Sequence, residues 1–469
     1  MNQSALWSLR LGFSNKENSR IAQKGLRPFL EDSFKVSFDN TIPDFLKDSP
    51  KTIEELKQLR LLFKNASEED KKEARQKENQ TAQAMKQWWI DRMIDAEYPL
   101  QEKMTLLLHN HFVSTYQKVK VNYWVFQHNQ ILRKNAFGNF KTLTKEILKT
   151  NAMVRYLDNT DNKRGKINEN LSRELLELFT LGIGNYSEDD VKNGAKGLAG
   201  LNLGEEGAQY RSVFEDNSVI TYLGKTGVFK VDELVDIIFE QKNIPYLMTR
   251  KILEWFIYDN PKEELVRYYG DYFREMNFEF QPLLLKIFTE EFDKNTAGSK
   301  IKNPLEYSLQ LLDELQLENV KSNVIVNFLK QQSMDLFNQP NVKGWEGGKS
   351  WLTTQIYLQR AIVADAYCQG RLYNRQKTER DMEDNMEEKT NQKNKIPKDK
   401  PIALNWQKGT NKVIIKGLTD RLLFGVSPEA QKDFETVLKY DFDPNAPNAD
   451  QVVLRLFNTI IKEPEFQLI

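Results

Sequence analysis

The stretch NENLSRELLELFTLG, residues 168–182, indicates most clearly which secondary structure dominates this chain. Four of its apolar residues recur three and four positions apart, the spacing of one helix face: Leu171, Leu175, Leu178 and Phe179. Asn168 is a favourable N-terminal cap, and Gly182 supplies a stop. The stretch therefore predicts an amphipathic helix.

The opposite side of this predicted helix carries a group of polar residues, called here the polar row: Asn168, Glu169, Asn170, Arg173, Glu174 and Glu177. Residues three and four apart are neighbours on a helix, so the row has two interpretations. One is an ordinary solvated ladder of charges. The other is the lining of a cleft, in which Arg173 would hold one carboxylate and lower its pKa. The row thus supplies candidate catalytic and ligand-binding side chains.

A second polar group interrupts the apolar segment LLLHNHFVST, residues 106–115, which contains two of the three histidines of the chain. Side chains two positions apart on a helix point about 200° away from each other, so His109 and His111 cannot face one ion there. Both are candidate catalytic residues, and the alternative is a pair of structural histidines. A divalent metal would need carboxylate ligands as well, because only His128 and a single cysteine remain.

The composition limits the classes of partner. Lysine plus arginine and aspartate plus glutamate are equal at 67 each, which removes the electrostatic reason to expect nucleic-acid binding. No window approaches the roughly 18 consecutive apolar residues of a membrane span. The first residues lack the apolar segment of a signal peptide, so we expect a soluble, cytoplasmic chain, with export left open.

The periodicity predicts the organisation of the whole chain. Core helices are expected over 99–116, 130–157 and 167–181, and Ser187-Glu-Asp-Asp190 is typical of a helix start with a capping box. Residues 65–83 suggest a solvated helix or a flexible arm. The runs 209–214 and 219–223 suggest a β-hairpin joined by residues 215–218. Residues 413–415 suggest a short strand.

These elements predict a mainly α protein, a large multi-helix domain with a small β-hairpin insertion near 209–224. The main helical body is expected over 1–375. Residues 376–400 carry many charges of both signs and almost no apolar side chain, so we expect a flexible insertion there. Residues 401–469 are expected to add C-terminal helices that pack on the main body.

Several dispersed blocks resemble the bacterial family called domain of unknown function 1800. They are RLGF at 10–13, KMT at 103–105, HNHF at 109–112, AMVRYLD at 152–158, NEN and RELLELFTLG between 168 and 182, YSEDDV at 186–191, LG at 223–224, KNPLEY at 302–307, GW at 344–345 and EFQ at 465–467. The resemblance spans nearly the whole chain and implies a largely helical fold. It also implies a sulfatase-like partner or a shared export route, because genes of the family often neighbour those of a secreted sulfatase-like family called domain of unknown function 1501.

The chain departs from the family pattern at three places. Many relatives have a histidine just before the first block, where this chain has Leu6-Trp7-Ser8. Many have His-Asp ahead of the hairpin, where Glu215-Asp216 stands here. Relatives tend to show Thr-Gly-Trp where this chain has Ala199-Gly-Leu201. A family site built on those histidines is therefore partly lost, although Glu215 and Asp216 remain candidate ligands.

Three functions follow as hypotheses. In the first, His109, His111 and the polar row converge in a polar cleft that binds a polar ligand or ion, with metal- or acid/base-assisted hydrolysis as its chemistry. In the second, the same residues form a buried network in a helical scaffold that assembles with a partner. In the third, Trp345 and Trp351 bind carbohydrate. The third requires both rings exposed in one groove, and a rigid turn anchored by Trp345 is the alternative.

Overall fold

The computed structural model describes residues 1–64, 66–317, 320–371 and 402–469. Within these ranges, helices dominate and the strands are short, so the predicted mainly α class is confirmed. None of these helices combines the length and apolar character needed to cross a lipid bilayer. The expected charged insertion over 376–400 lies outside the described residues.

Twenty-two α-helices lie within the described ranges. The first eleven, α1 to α11, are Gln3–Leu11, Asn18–Lys24, Leu26–Ser33, Ile53–Lys64, Glu68–Asp95, Leu100–His111, Tyr116–Val119, Asn122–Lys134, Phe140–Leu148, Asn151–Tyr156 and Asn170–Glu174. The next eleven, α12 to α22, are Glu188–Gly197, Val231–Glu240, Ile244–Phe256, Glu263–Glu275, Phe280–Phe292, Pro304–Glu314, Ser322–Gln331, Thr354–Cys368, Asn411–Leu422, Pro428–Val437 and Ala449–Ile460. A π-helical turn, Leu175–Thr180, continues directly from α11.

Local sequence explains where several of these helices begin. The predicted capping box at Ser187 is confirmed: its hydroxyl accepts from the Asp190 amide at 3.1 Å, and the Asp190 carboxylate accepts from the Ser187 amide at 2.9 Å. A similar box formed by Asn303 and Glu306 starts α17, with Pro304 as its first residue.

Two helix boundaries differ from the periodicity-based predictions. The single segment 130–157 is divided among α8, α9 and α10, because Asn139 and Thr150 each cap a new helix with a side-chain oxygen. Residues 68–83 are part of the 28-residue helix α5, which begins at Glu68. This helix is exposed over its first half, and it is anchored by buried residues in its second half, such as Met85 and Trp89.

The predicted strand at 413–415 is wrong, since these residues lie in helix α20. Ile414, Leu418 and Leu422 are buried at a spacing of four, so Ile414 belongs to an apolar helix face, whereas Val413 is exposed. Tertiary burial of that face overrides the local preference for a strand.

The small β insertion is present near the expected place, but its predicted pairing is wrong. Strand β2 (Gln209–Tyr210) pairs with β1 (Leu201–Asn202) instead of with the later strand. Strand β3 (Ile220–Tyr222) pairs with β4 (Lys225–Gly227) through the two-residue turn Leu223-Gly224. Both turn residues have positive φ, 47° and 85°, as the tight turns of two-residue hairpins require.

The core is organised around helix α6. Every residue from Leu100 to His111 is buried except Asn110, which is half-buried, so this helix runs through the interior. Its Lys103 ammonium forms a buried ion pair with Glu306 of α17 at 2.7 Å and donates to the carbonyls of Leu9 and Gly12, each at 2.6 Å. These acceptors offset the energetic cost of removing the Lys103 charge from water.

Other sequence blocks are held by similar contacts between buried polar groups. Arg10 donates to the hydroxyl of Thr296 at 2.5 Å, and Lys302 donates to the carbonyl of Phe466. Arg360 donates to Gln467 at 3.0 Å, so the last residues of the chain contact the main helical body. Sequence blocks that are far apart along the chain are thus joined in the interior by hydrogen bonds of buried polar side chains.

Candidate functional site

The C-terminal end of helix α6 places three consecutive polar side chains, His109, Asn110 and His111, in three different environments. His109 is fully buried. Its Nε2–H donates to the Ser114 carbonyl at 3.2 Å, and its Nδ1 accepts from the Asn129 amide at 3.1 Å. Burial lowers the pKa of His109 to about 3, so the ring is neutral at physiological pH.

His109 also packs against aromatic rings, which explains why a histidine is tolerated in the core. Its ring centroid lies 5.4 Å from Trp89, 5.1 Å from Phe337 and 5.6 Å from His128. With both ring nitrogens paired and aromatic neighbours around it, His109 fixes the packing of α6 against α5 and α8.

Asn110 holds the loop that contains Trp345. Its side-chain oxygen accepts from the Trp345 amide at 2.7 Å, and its side-chain nitrogen donates to the Trp345 carbonyl at 3.4 Å. The neighbouring Gly344 has a φ of 86°, and a Cβ atom there would come within 2.3 Å of the Asn110 side-chain oxygen. The sequence blocks HNHF, residues 109–112, and GW, residues 344–345, are therefore in direct contact.

His111 contacts a lysine instead of a carboxylate. Its Nε2–H donates to the carbonyl of Phe179 at 3.0 Å, which leaves Nδ1 as an acceptor, and the Lys251 ammonium donates to it at 2.9 Å. Lys251 also donates to the carbonyl of Leu178 at 3.4 Å. Burial, and secondarily the positive charge of Lys251, lowers the pKa of His111 well below its ordinary value.

The π-helical turn explains why two carbonyls are available at this place. The RELLELFTLG segment was expected to be a regular helix, but after Glu174 it widens into the turn Leu175–Thr180 and stops near Gly182, whose φ is 85°. The last carbonyl groups of a helix have no partner within it. Those of Leu178 and Phe179 are used here by Lys251 and His111.

Lys251 and His111 open onto a cavity of about 380 Å³, called here the Lys251 cavity. It lies between α6, α14 and the loop that follows Lys343. The described residues that line it are Leu107, Asn110, His111, Lys251, Glu254, Trp255, Asp259, Lys300, Lys343, Trp345, Glu346, Gly347, Gly348 and Trp351. Charges of both signs and three indole rings therefore meet in one partly enclosed space.

Burial favours the neutral forms of three further ionisable groups in this cavity, Lys251, Glu254 and Asp259. Burial lowers the pKa of Lys251 to about 8, against a smaller opposing effect of the Glu254 charge. Burial also raises the pKa of Glu254 and of Asp259 above the ordinary carboxyl range. Such paired shifts in a cleft are typical of groups that exchange protons with a ligand.

The polar row has its own partners beside this cavity. Arg173 pairs with Glu169 at 3.1 Å and with Glu188 at 2.7 Å, both at the surface. Glu177 accepts from the Tyr186 hydroxyl at 2.9 Å. Within the described part of the chain, no hydrogen bond links the row to either histidine of α6, and no row residue lines the Lys251 cavity.

The other members of the row stabilise the start of its helix or face the cavity rim. Asn168 accepts from the Asn170 amide at 3.0 Å and donates to the Asp158 carbonyl at 3.3 Å. Burial and the charge of Glu177 raise the pKa of Glu174, and the charge of Lys343 at the cavity rim opposes this shift. Glu174 is thus the row member coupled to the cavity by charge.

The remaining candidate ligands lie in the β insertion. Glu215 forms an ion pair with Lys230 at 3.0 Å, and Asp216 accepts from the Ser218 amide at 2.9 Å. Neither belongs to the described lining of the Lys251 cavity. Across the described ranges, no group of three or more histidine, cysteine, aspartate or glutamate side chains is arranged to hold a metal ion.

The sequence interpretation missed the residues of α14, namely Lys251, Glu254 and Trp255. One signal was present: Lys251 follows Met248 by three positions and precedes Trp255 by four, so a lysine stands on a face of buried residues. A charged residue on such a face requires a buried partner or a cavity.

Comparison with known proteins agrees with the sequence blocks. The family described as Protein of unknown function (DUF1800) matches residues 4–468, nearly the whole chain. The chain belongs to this family. None of the curated proteins and none of the solved structures matches the chain.

Proposed function

We propose that this member of the DUF1800 family is an enzyme whose Lys251 cavity binds a small polar ligand and catalyses proton transfer on it. The observation that carries the proposal is the lysine amine, which donates to His111 at 2.9 Å and lines a partly enclosed cavity. Lys251 and Glu254 are the proposed base and acid, His111 is a positioning residue, and hydrolysis is the reaction class we favour.

The two proposed groups suit general acid–base catalysis. A lysine with a pKa of about 8 is partly neutral at physiological pH, so it can accept a proton. Burial raises the pKa of the Glu254 carboxyl group, which favours its protonated form, the form that can donate a proton. Catalysis is most efficient when both values approach the working pH. Lys251 and Glu254 lie three positions apart on α14, so they face the same side.

The cavity wall indicates what kind of ligand fits. Its volume lies within the usual range for small-molecule sites, roughly 300–1,000 Å³. Lys343 and Glu346 at the rim offer one charge of each sign, and the indole rings supply apolar surface. A ligand with both a polar and an apolar part complements this lining.

The structure offers less support for the other two hypotheses. A carbohydrate site needs exposed rings, but Trp345 and Trp351 are each 4% exposed. A pure scaffold would have no use for a cavity lined by ionisable groups whose pKa values are shifted by burial, such as Lys251 and Glu254. The sulfatase-like partner that the resemblance implies remains a prediction, as does a ligand-binding role for the polar row.

The experiment is a ligand panel with matched variants. Thermal unfolding would be followed with sugars, dipeptides, hydroxy acids and chromogenic esters, amides, phosphates and glycosides, the last four groups also assayed for hydrolysis. A ligand at about 100 times its Kd stabilises the folded state by about 2.7 kcal/mol. We expect at least one class to stabilise the wild type and Lys349→Met, an exposed control outside the cavity, while Lys251→Met and Glu254→Gln lose hydrolysis.

A negative result in both assays would contradict the proposal. If no class changes the unfolding temperature and no hydrolysis exceeds that of Lys251→Met, the cavity is not an active site of this kind. Circular dichroism of each variant would verify that lost activity is not lost folding.

A further inference from the structure

The hydrogen bonds of the Lys251 amine leave one direction free. An amine nitrogen has three substituent positions besides its carbon, whether they hold N–H groups or a lone pair. Two N–H groups donate to acceptors on neighbouring elements, His111 Nδ1 at 2.9 Å and the Leu178 carbonyl at 3.4 Å. In the neutral amine the third position is the lone pair.

The surroundings indicate where this lone pair points. His111 belongs to α6 and Leu178 to the π-helical turn, so these two elements occupy two of the three directions around the amine. Lys251 itself lines the cavity, which is the side that remains. His111 cannot turn its other nitrogen toward the lysine without giving up its bond to the Phe179 carbonyl at 3.0 Å. The amine is therefore presented with its nucleophilic side toward the ligand space.

We propose that Lys251 captures the carbonyl carbon of an aldehyde or ketone ligand as an imine. This inference rests on the proposed function and gives its proposed base, Lys251, a second role as a nucleophile toward a named class of ligand. A desolvated lysine amine is the nucleophile that proteins use for such carbonyl compounds. His111 positions the amine, and Glu254 supplies the proton that the reaction needs.

The step balances in atoms and charge. The Lys251 lone pair attacks the carbonyl carbon and forms a C–N bond, while the C=O π electrons move to oxygen. The Glu254 carboxyl group protonates that oxygen, and its carboxylate then takes a proton from the new ammonium nitrogen. The same group protonates the hydroxyl, water leaves as the C–O bond breaks, and the C=N bond of the iminium forms. Glu254 ends as the carboxylate.

The test is reductive trapping on the full-length wild-type protein. Pyruvate and glyceraldehyde serve as probes, with cyanoborohydride as the reductant, and peptide mapping by mass spectrometry locates each reduced adduct. We expect at least one probe to modify Lys251 at least tenfold faster than the exposed Lys349. Glu254→Gln should slow the trapping at Lys251 at least tenfold, and Lys349→Met should leave it unchanged. The wild-type measurement needs no variant to fold.

The outcomes separate this inference from the proposed function. Lys251 modified no faster than Lys349 by either probe overturns the imine proposal. If the ligand panel still stabilises the protein in that case, the acid–base cavity stands without covalent capture. If neither trapping nor stabilisation is found, both proposals fail.

Discussion

Replacing Lys251 by methionine is expected to change the stability of the protein in opposite directions at low and high pH. The cavity lowers the pKa of this lysine from 10.5 to about 8, so the folded protein holds its charge unfavourably. At 1.36 kcal/mol per pH unit, this difference corresponds to a cost of up to about 3 kcal/mol below pH 8. Methionine has a similar length and carries no such cost.

The substitution also removes a favourable contact. His111 Nδ1 and the Leu178 carbonyl lose their donor, a loss of about 1 kcal/mol. Near pH 7 the variant should therefore be more stable than the wild type by about 2 kcal/mol. Between about pH 8 and 10.5 the unfolded chain binds more protons at this lysine than the folded protein does, so wild-type stability rises with pH. Above that window the variant should be less stable by about 1 kcal/mol.

Urea unfolding of the wild type, Lys251→Met and Lys349→Met at about pH 7, 9 and 11 measures these differences. Other titrating groups, such as Lys103, are common to all three proteins, so their effects cancel in the comparison. A difference between wild type and Lys251→Met that does not change with pH would refute the argument that the cavity desolvates this amine. Higher stability of Lys251→Met than of the wild type near pH 7 would fit a functional site whose buried lysine lowers the stability of the fold.

Three further changes test the surroundings of the cavity. Gly344→Ala should destabilise the protein by about 2–4 kcal/mol in urea unfolding, because the φ of Gly344 is 86° and the new Cβ would clash with Asn110. The control Gly165→Ala, at a φ of 80° with open space around it, should cost only about 1–2 kcal/mol. Equal losses would contradict the docking of the Trp345 loop. Glu306→Gln should lower the free energy of unfolding by about 3–5 kcal/mol at pH 7, since it leaves the buried Lys103 charge without its ion-pair partner. A decrease below about 1 kcal/mol would argue against the ion pair. The pKa of His109 is lowered from 6.5 to about 3, so below pH 6.5 the unfolded chain binds a proton at this histidine before the folded protein does, and stability falls. His109→Gln should therefore flatten this part of the dependence of unfolding free energy on pH. An unchanged dependence would contradict the buried, neutral state of His109.

The pairing of His111 with Lys251 illustrates which part of the site could not be predicted. The two residues are 140 positions apart, and neither the His-x-His spacing nor the helix pattern of α14 refers to the other. The prediction that two histidines on one helix point to different places follows from helix geometry alone, and they do have separate partners. What those partners are depends on how α6, α14 and the π-helical turn pack.

The sequence by itself determined the helical class, the helix starts at good caps such as Ser187, and membership of the family, because these depend on local spacing and on motifs. Only the tertiary structure decided that residues 413–415 are helical, that β2 pairs with β1, and that carbonyls of a widened helix turn accept from Lys251 and His111 beside a cavity. The physical reason is that burial sets these outcomes: strand pairing, the state of a buried charge and the pKa of an amine depend on neighbours that are distant along the chain.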